Sequence, residues 1–135
     1  MKSDLKAGLA RTKRITVDKA RSINFLGEDL RVYATPELVR DVETICREFL
    51  LDHCDPGEDS VGTGVQISHS GATLLGMGVD ITIAVKEVEG RKVTFSVSAR
   101  DAVEEIMRGE HGRFVVDVEK LRSRVAAKAA KSGND

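Results

Sequence analysis

Between positions 79 and 99 apolar residues alternate with polar or small ones. Val79, Ile81, Ile83 and Val85 are spaced by Asp80, Thr82, Ala84 and Lys86; Val93, Phe95, Val97 and Ala99 repeat the pattern. A period of two lays each set on one face of a strand, and Glu89-Gly90 between them predicts a hairpin. Val65, Ile67 and His69 share one parity and predict a strand after Gly57. A further strand is expected from near Val103 through Arg113–Val118, with a bulge around Gly109–Gly112. Residues 11–18 have weaker strand character. Residues 19–34 predict no definite element, because Ile23, Phe25, Leu26, Leu30, Val32 and Tyr33 are scattered among charges.

The period changes between Thr35 and Cys54. Leu38, Val39, Val42, Ile45, Cys46, Phe49 and Leu50 recur at steps of three and four, which predicts a helix from about 36 to 54 with a broad apolar face. Thr35 is the expected N-cap, Pro36 suits the first helical position, and Glu37 complements the helix dipole. The helix should stop near Pro56-Gly57. Glu119–Lys131 predicts a short helix or arm before a disordered Ser-Gly-Asn-Asp end. A strand, one long apolar helix and four antiparallel strands make an α+β protein. The expected architecture is a hot-dog fold, a curved antiparallel sheet wrapped around one long central helix, in a single domain over residues 1–135.

Composition narrows the choice. Lys+Arg 21 against Asp+Glu 22 gives a net charge of −1, which argues against a nucleic-acid binder relying on a broad basic face. Both ends are locally basic, however: Lys2, Lys6, Arg11, Lys13 and Arg14 at one, Lys120, Arg122, Arg124, Lys128 and Lys131 at the other. No apolar run approaches the ~20 residues of a membrane helix. The first fourteen residues lack the apolar core of a signal peptide. Cys46 and Cys54, eight residues apart on one helix, would lie ~12 Å apart, too far for a disulfide. The expectation is a cytoplasmic protein with free thiols.

Chemistry is sought first at Glu43, which falls on the stripe Val39–Glu43–Cys46–Leu50. A carboxylate there is costly to bury unless paired or protonated, which suits acid/base work. Pairing with Arg40 or Arg47 at the stripe's edge is the simpler alternative. His69 has the inward parity of Val65 and Ile67, as a core histidine or a catalytic one would. Thr35 can cap the helix and still donate its own proton. Asp52-His53-Cys54-Asp55 has no second ligand pair at metal-site spacing, so no metal is expected. Gly62-Thr63-Gly64 lacks the third glycine of a dinucleotide fingerprint, and no serine sits in a nucleophile elbow.

Several segments occur together in one order: Ala34-Thr35-Pro36 with Glu43 eight residues after the threonine, Val61-Gly62-Thr63 leading to His69, Val88-Glu89-Gly90-Arg91, and Gly109-Glu110-His111-Gly112-Arg113. Over roughly residues 5–122 the chain resembles the fluoroacetyl-coenzyme A thioesterase family of hot-dog proteins. The resemblance implies a catalytic set of Thr35, Glu43 and His69, with Gly62 and Arg113 contacting an acyl-coenzyme A substrate. It also implies a homodimer with active sites at the subunit interface, and no cofactor, since coenzyme A enters as part of the substrate. The family's fluoroacetyl-specific member has a phenylalanine-rich lid before the Ala-Thr step. Here the shorter stretch reads Asn24-Phe25-Leu26-Gly27-Glu28-Asp29-Leu30-Arg31-Val32-Tyr33, so selection of a fluorinated acyl group is not carried over.

The expected activity is hydrolysis of a short or small acyl-coenzyme A to free acid and coenzyme A. Glu43 would act as nucleophile or as general base on water, and His69 would move the proton. A non-catalytic acyl-coenzyme A binding dimer is the alternative. A hydratase is disfavoured, because no second Asp/His pair is arranged for that chemistry.

Overall fold

The computed structural model describes residues 1–133. Seven strands and two helices follow in order: β1 (Ala10–Thr16), β2 (Ser22–Ile23), β3 (Val32–Tyr33), α1 (Thr35–Leu51), β4 (Glu58–His69), β5 (Gly78–Glu89), β6 (Lys92–Arg100), β7 (Glu105–Asp117) and α2 (Val118–Lys131). Five strands form one antiparallel sheet in the order β1-β5-β6-β7-β4, and β2 pairs with β3 separately. The α+β architecture and its antiparallel sheet are as the pattern predicts.

The period-two runs bury one face. Val79, Ile81, Ile83 and Val85 on β5 join Val93, Phe95, Val97 and Ala99 on β6 in the core, with Ile106, Met107 and Val115 on β7. Against them α1 sets Leu38, Val42, Ile45, Cys46, Phe49 and Leu50, all buried. Phe49 meets Phe95 edge-to-face, with ring centroids 5.8 Å apart. Burying each large apolar side chain contributes about 1.5–3 kcal/mol, so this layer fixes α1 on the sheet. The β5–β6 hairpin turns at Gly90-Arg91, where Gly90 has φ +61° and needs no Cβ.

Four expectations require correction. Ala34, not Thr35, is the N-cap of α1 and makes no side-chain cap bond, because the Thr35 hydroxyl is engaged elsewhere. The helix ends at Leu51, three residues early, where the backbone tightens into a turn closed by Asp52 and His53 N–H groups. Strand β7 starts at Glu105; Val103 is exposed in a turn whose N–H groups at 103 and 104 donate to Asp101 Oδ1. Beside Gly109–Gly112 the ladder bulges on β4, where Thr63 is the extra residue between Gly62 and Gly64; the irregularity on β7 itself lies earlier, at Ile106. Residues 19–34 form two single-turn 3₁₀ segments and the β2–β3 pair. After α2 come Ser132 and Gly133; the rest of the end expected to be disordered, Asn134 and Asp135, lies outside the described residues.

Candidate active site

Two polar clusters flank the inner face of β4, one near each end. At its last residue, His69 Nδ1 lies 2.7 Å from Thr35 Oγ1 in the first turn of α1. The imidazole also meets the Tyr33 ring edge-on, with centroids 6.3 Å apart. Its Nε2 is buried without a hydrogen-bond partner among the described residues. An unpartnered buried ring nitrogen is unfavourable unless a ligand engages it, which makes this cluster a candidate functional site. Burial holds the imidazole below its ordinary pKa, so it is neutral at pH 7.

The wall around His69 is held by an internal ion pair. Tyr33 Oη donates to Asp41 on α1, and Arg21 Nε and Nη2 donate to the same carboxylate at 2.9 and 3.1 Å. Tyr33 and Asp41 are both buried. Burial first and the Asp41 carboxylate second raise the Tyr33 pKa, and Asp41 raises that of Arg21, so phenol and guanidinium keep their protons. This triad pins residues 19–34 onto α1 and forms a pocket of about 240 Å³ lined by Ile23, Phe25, Tyr33, Thr35 and His69.

The second cluster surrounds Glu43. A Cβ built on Gly62 would lie 2.6 Å from Glu43 Oε1, so the glycine is what lets the carboxylate lie against β4. Glu43 is half-buried and forms no ion pair with Arg40 or Arg47; Arg47 binds Asp59 instead. Behind Gly62, Arg113 is 4 % exposed and donates to Ser60 Oγ at 2.8 Å and Ser60 O at 2.9 Å. Burial lowers the Arg113 pKa, and the neighbouring Glu43 charge opposes that shift most.

His111 completes this cluster. Its Nδ1–H donates to Gly64 O at 2.8 Å, which leaves Nε2 to accept from Arg113 Nη1 at 3.2 Å. Burial lowers its pKa as well, so the ring stays neutral between the bulge and the guanidinium. The sequence gives no role to His111, although its shared parity with Arg113 places both on the inner face of β7.

The structure thus joins Thr35 to His69, and Glu43 to Gly62 and Arg113, but keeps the two groups apart within one chain. Gly62 and His69 are seven residues apart on β4, a span of about 23 Å at ~3.3 Å per residue. Arg113 does not face outward as a phosphate ligand, since Ser60 and His111 occupy its guanidinium. Cys46 is buried and its thiol is pushed up to about 12 by burial, so it is inert as a nucleophile. Asp52 pairs with Arg11, His53 with Asp4, and Asp55 with the amino terminus. No helix among the described residues is long and apolar enough to cross a membrane.

This sheet, with its buried helix and polar groups along an edge strand, places the chain among hot-dog proteins. A Thermus thermophilus protein described as a thioesterase superfamily member superposes with a TM-score of 0.88 at 22 % identity, over 98 % of this chain and 99 % of that one. Residues 17–119 match the family model described as fluoroacetyl-CoA-specific thioesterase. The chain belongs to that family and is a thioesterase. It is 33 % identical to the fluoroacetyl-CoA thioesterase of Streptantibioticus cattleyicolor, across 95 % of this chain and 97 % of that protein. A variant of the fluoroacetyl-CoA-specific thioesterase FlK, in complex with fluoroacetate and CoA, has a TM-score of 0.79 and 32 % identity, covering 87 % of this chain and 99 % of that one.

Proposed function

We propose that the protein is a cytoplasmic homodimer that hydrolyses a short acyl-CoA to the free acid and coenzyme A at two sites shared between subunits. The observation that carries this reading is the placement of the two clusters on one unpaired strand edge. β4 is the last strand of the sheet, so its outer N–H and C=O groups are open to a second copy. Antiparallel pairing about a two-fold axis between Val65 and Gln66 sets Gly62 opposite His69 of the partner subunit. Glu43 of one chain then faces the Thr35–His69 pair of the other, and Val65, 43 % exposed in the single chain, is covered.

In this arrangement Glu43 attacks the thioester carbonyl or draws a proton from water. The Thr35–His69 bond fixes the imidazole, and Nε2 meets the departing sulfur or the attacking water. The backbone beside Gly62, with no side chain in the way, is open to the developing oxyanion. Phe25 and Ile23 over His69 leave room for a small acyl group. Support for the CoA thioester comes from the family and from the related structure holding fluoroacetate and CoA.

A subunit-mixing experiment tests the reading. His69→Ala and Glu43→Gln proteins are each expected to be inactive in thiol release from acetyl-CoA. After co-refolding, half the dimers are mixed, and each mixed dimer holds one intact site. Recovery of about a quarter of wild-type activity is expected from that symmetry. No recovery from folded, mixed dimers would show that the clusters do not combine across subunits.

A further inference from the structure

The segment His111-Gly112-Arg113 lies across the ladder from the bulge, with Arg113 paired to Gly62, Gly112 to Gly64 and His111 to Val65. A bulge leaves its extra residue unpaired, and β4 is the last strand of the sheet. Within the chain the Gly62–Gly64 segment therefore has a strand beside it on one side only, and its support comes from β7. Arg113, through Nε and Nη2, holds Ser60, two residues before Gly62. His111, through Nδ1–H, holds the carbonyl of Gly64, two residues after it. The two side chains are themselves joined, Arg113 Nη1 donating to His111 Nε2 at 3.2 Å. Between them, a Cβ built on Gly112 would lie 3.0 Å from Thr63 Oγ1, so the glycine leaves room for the side chain of the extra residue.

We propose that His111 is a positioning residue for the hydrolysis: it fixes the bulge, and through it the Gly62 backbone that meets the oxyanion and makes room for Glu43. The inference rests on the assignment of Glu43 and Gly62 to the reaction. A Cβ built on Gly62 would lie 2.6 Å from Glu43 Oε1 and 3.4 Å from His111 Cε1, so carboxylate and imidazole meet the glycine on the same face. His111 is 1 % exposed, so it acts through Gly62 and not on the substrate. A neutral imidazole suits the position. The Gly64 carbonyl only accepts and Arg113 Nη1 only donates, so the ring must donate from one nitrogen and accept at the other.

Two substitutions separate the two nitrogens. In His111→Asn the carboxamide nitrogen takes the place of Nδ1 and still donates to Gly64 O, but nothing accepts from Arg113. In His111→Gln the longer side chain reaches the place of Nε2 and accepts from Arg113, but the Gly64 carbonyl loses its donor. Each variant forfeits one buried hydrogen bond, so a role in stability alone would lower both melting temperatures and both rates alike. His111→Gln should lower kcat for thiol release from acetyl-CoA about 10–100-fold with KM little changed, the scale of a displaced reacting group. His111→Asn should keep most of the rate. Amide hydrogen exchange at residues 62–64, followed by NMR on the intact protein, should quicken about tenfold in His111→Gln alone, the order for one lost buried hydrogen bond. Equal rates in the two variants, or unchanged exchange in His111→Gln, overturn the assignment. Glu43→Gln, assayed alongside, tests the reading of the site separately: wild-type turnover there removes Glu43 from the reaction, while exchange still reports on the bulge.

Discussion

The Thr35 hydroxyl lies 2.7 Å from His69 Nδ1, joining the first turn of α1 to the last residue of β4. Ala34 holds the capping position and Thr35 is the first helical residue, so the threonine hydroxyl serves this contact and not the cap. With Nδ1 occupied, Nε2 is the ring nitrogen left without a partner among the described residues.

Thr35→Val preserves shape and removes this bond. Thiol-release kinetics should show kcat reduced roughly 10–100-fold with KM little changed, while Thr35→Ser retains most of the rate. His69→Ala removes the proposed proton carrier and should cost about 10²–10⁴-fold. Equal rates for Thr35→Val and wild type would rule out an orienting role.

Gly62→Ala drives a methyl group into the Glu43 carboxylate, which must rotate away. The expected result is a loss of kcat approaching that of Glu43→Gln, with a melting temperature close to wild type because a flexible chain end yields. Full activity in Gly62→Ala would separate Glu43 from the reaction.

Acid should inactivate and destabilise the protein together. His69 and His111 both lie below the ordinary value near 6.5 through burial. Between their depressed values and 6.5 the unfolded chain binds more protons than the folded one, so stability rises with pH across that window and falls on acidification through it. Thermal melts from pH 7.5 to 5 should show that slope, and His111→Asn should flatten it. The acid limb of kcat should have its midpoint below 6.5, since His69 must be neutral.

Tyr33→Phe removes the donor to Asp41 and leaves that carboxylate to Arg21 alone. Chemical denaturation should report a loss of about 1–3 kcal/mol, the range for a buried polar group deprived of its partner. KM should rise as well, because the same contact holds the pocket wall beside His69.

Parity read from the chain correctly faced Val79 to Val85 and Val93 to Ala99 inward, since alternation is a property of local backbone geometry. The step of three and four placed α1 for the same reason. Local rules failed where a distant partner decided the matter. Thr35 looks like a cap because Thr before Pro usually is one, but His69, thirty-four residues away, takes its hydroxyl. The bulge was expected beside the glycines of β7, yet it fell on β4, because a ladder can absorb an extra residue on either strand. His111 carried no separable signal: its role depends on meeting Gly64 and Arg113 together.

The sequence by itself determined the strand and helix periods, the inward faces and, through spaced motifs, which family the chain resembles. Only the tertiary structure decided that Glu43 lies against Gly62 while His69 lies with Thr35 at the far end of β4. That division is set by how α1 packs across the sheet, a contact between segments far apart in the chain: Thr35 and Glu43 are eight residues apart on α1, while the β4 residues they meet, His69 and Gly62, are seven apart. No local pattern records which end of an edge strand each will reach.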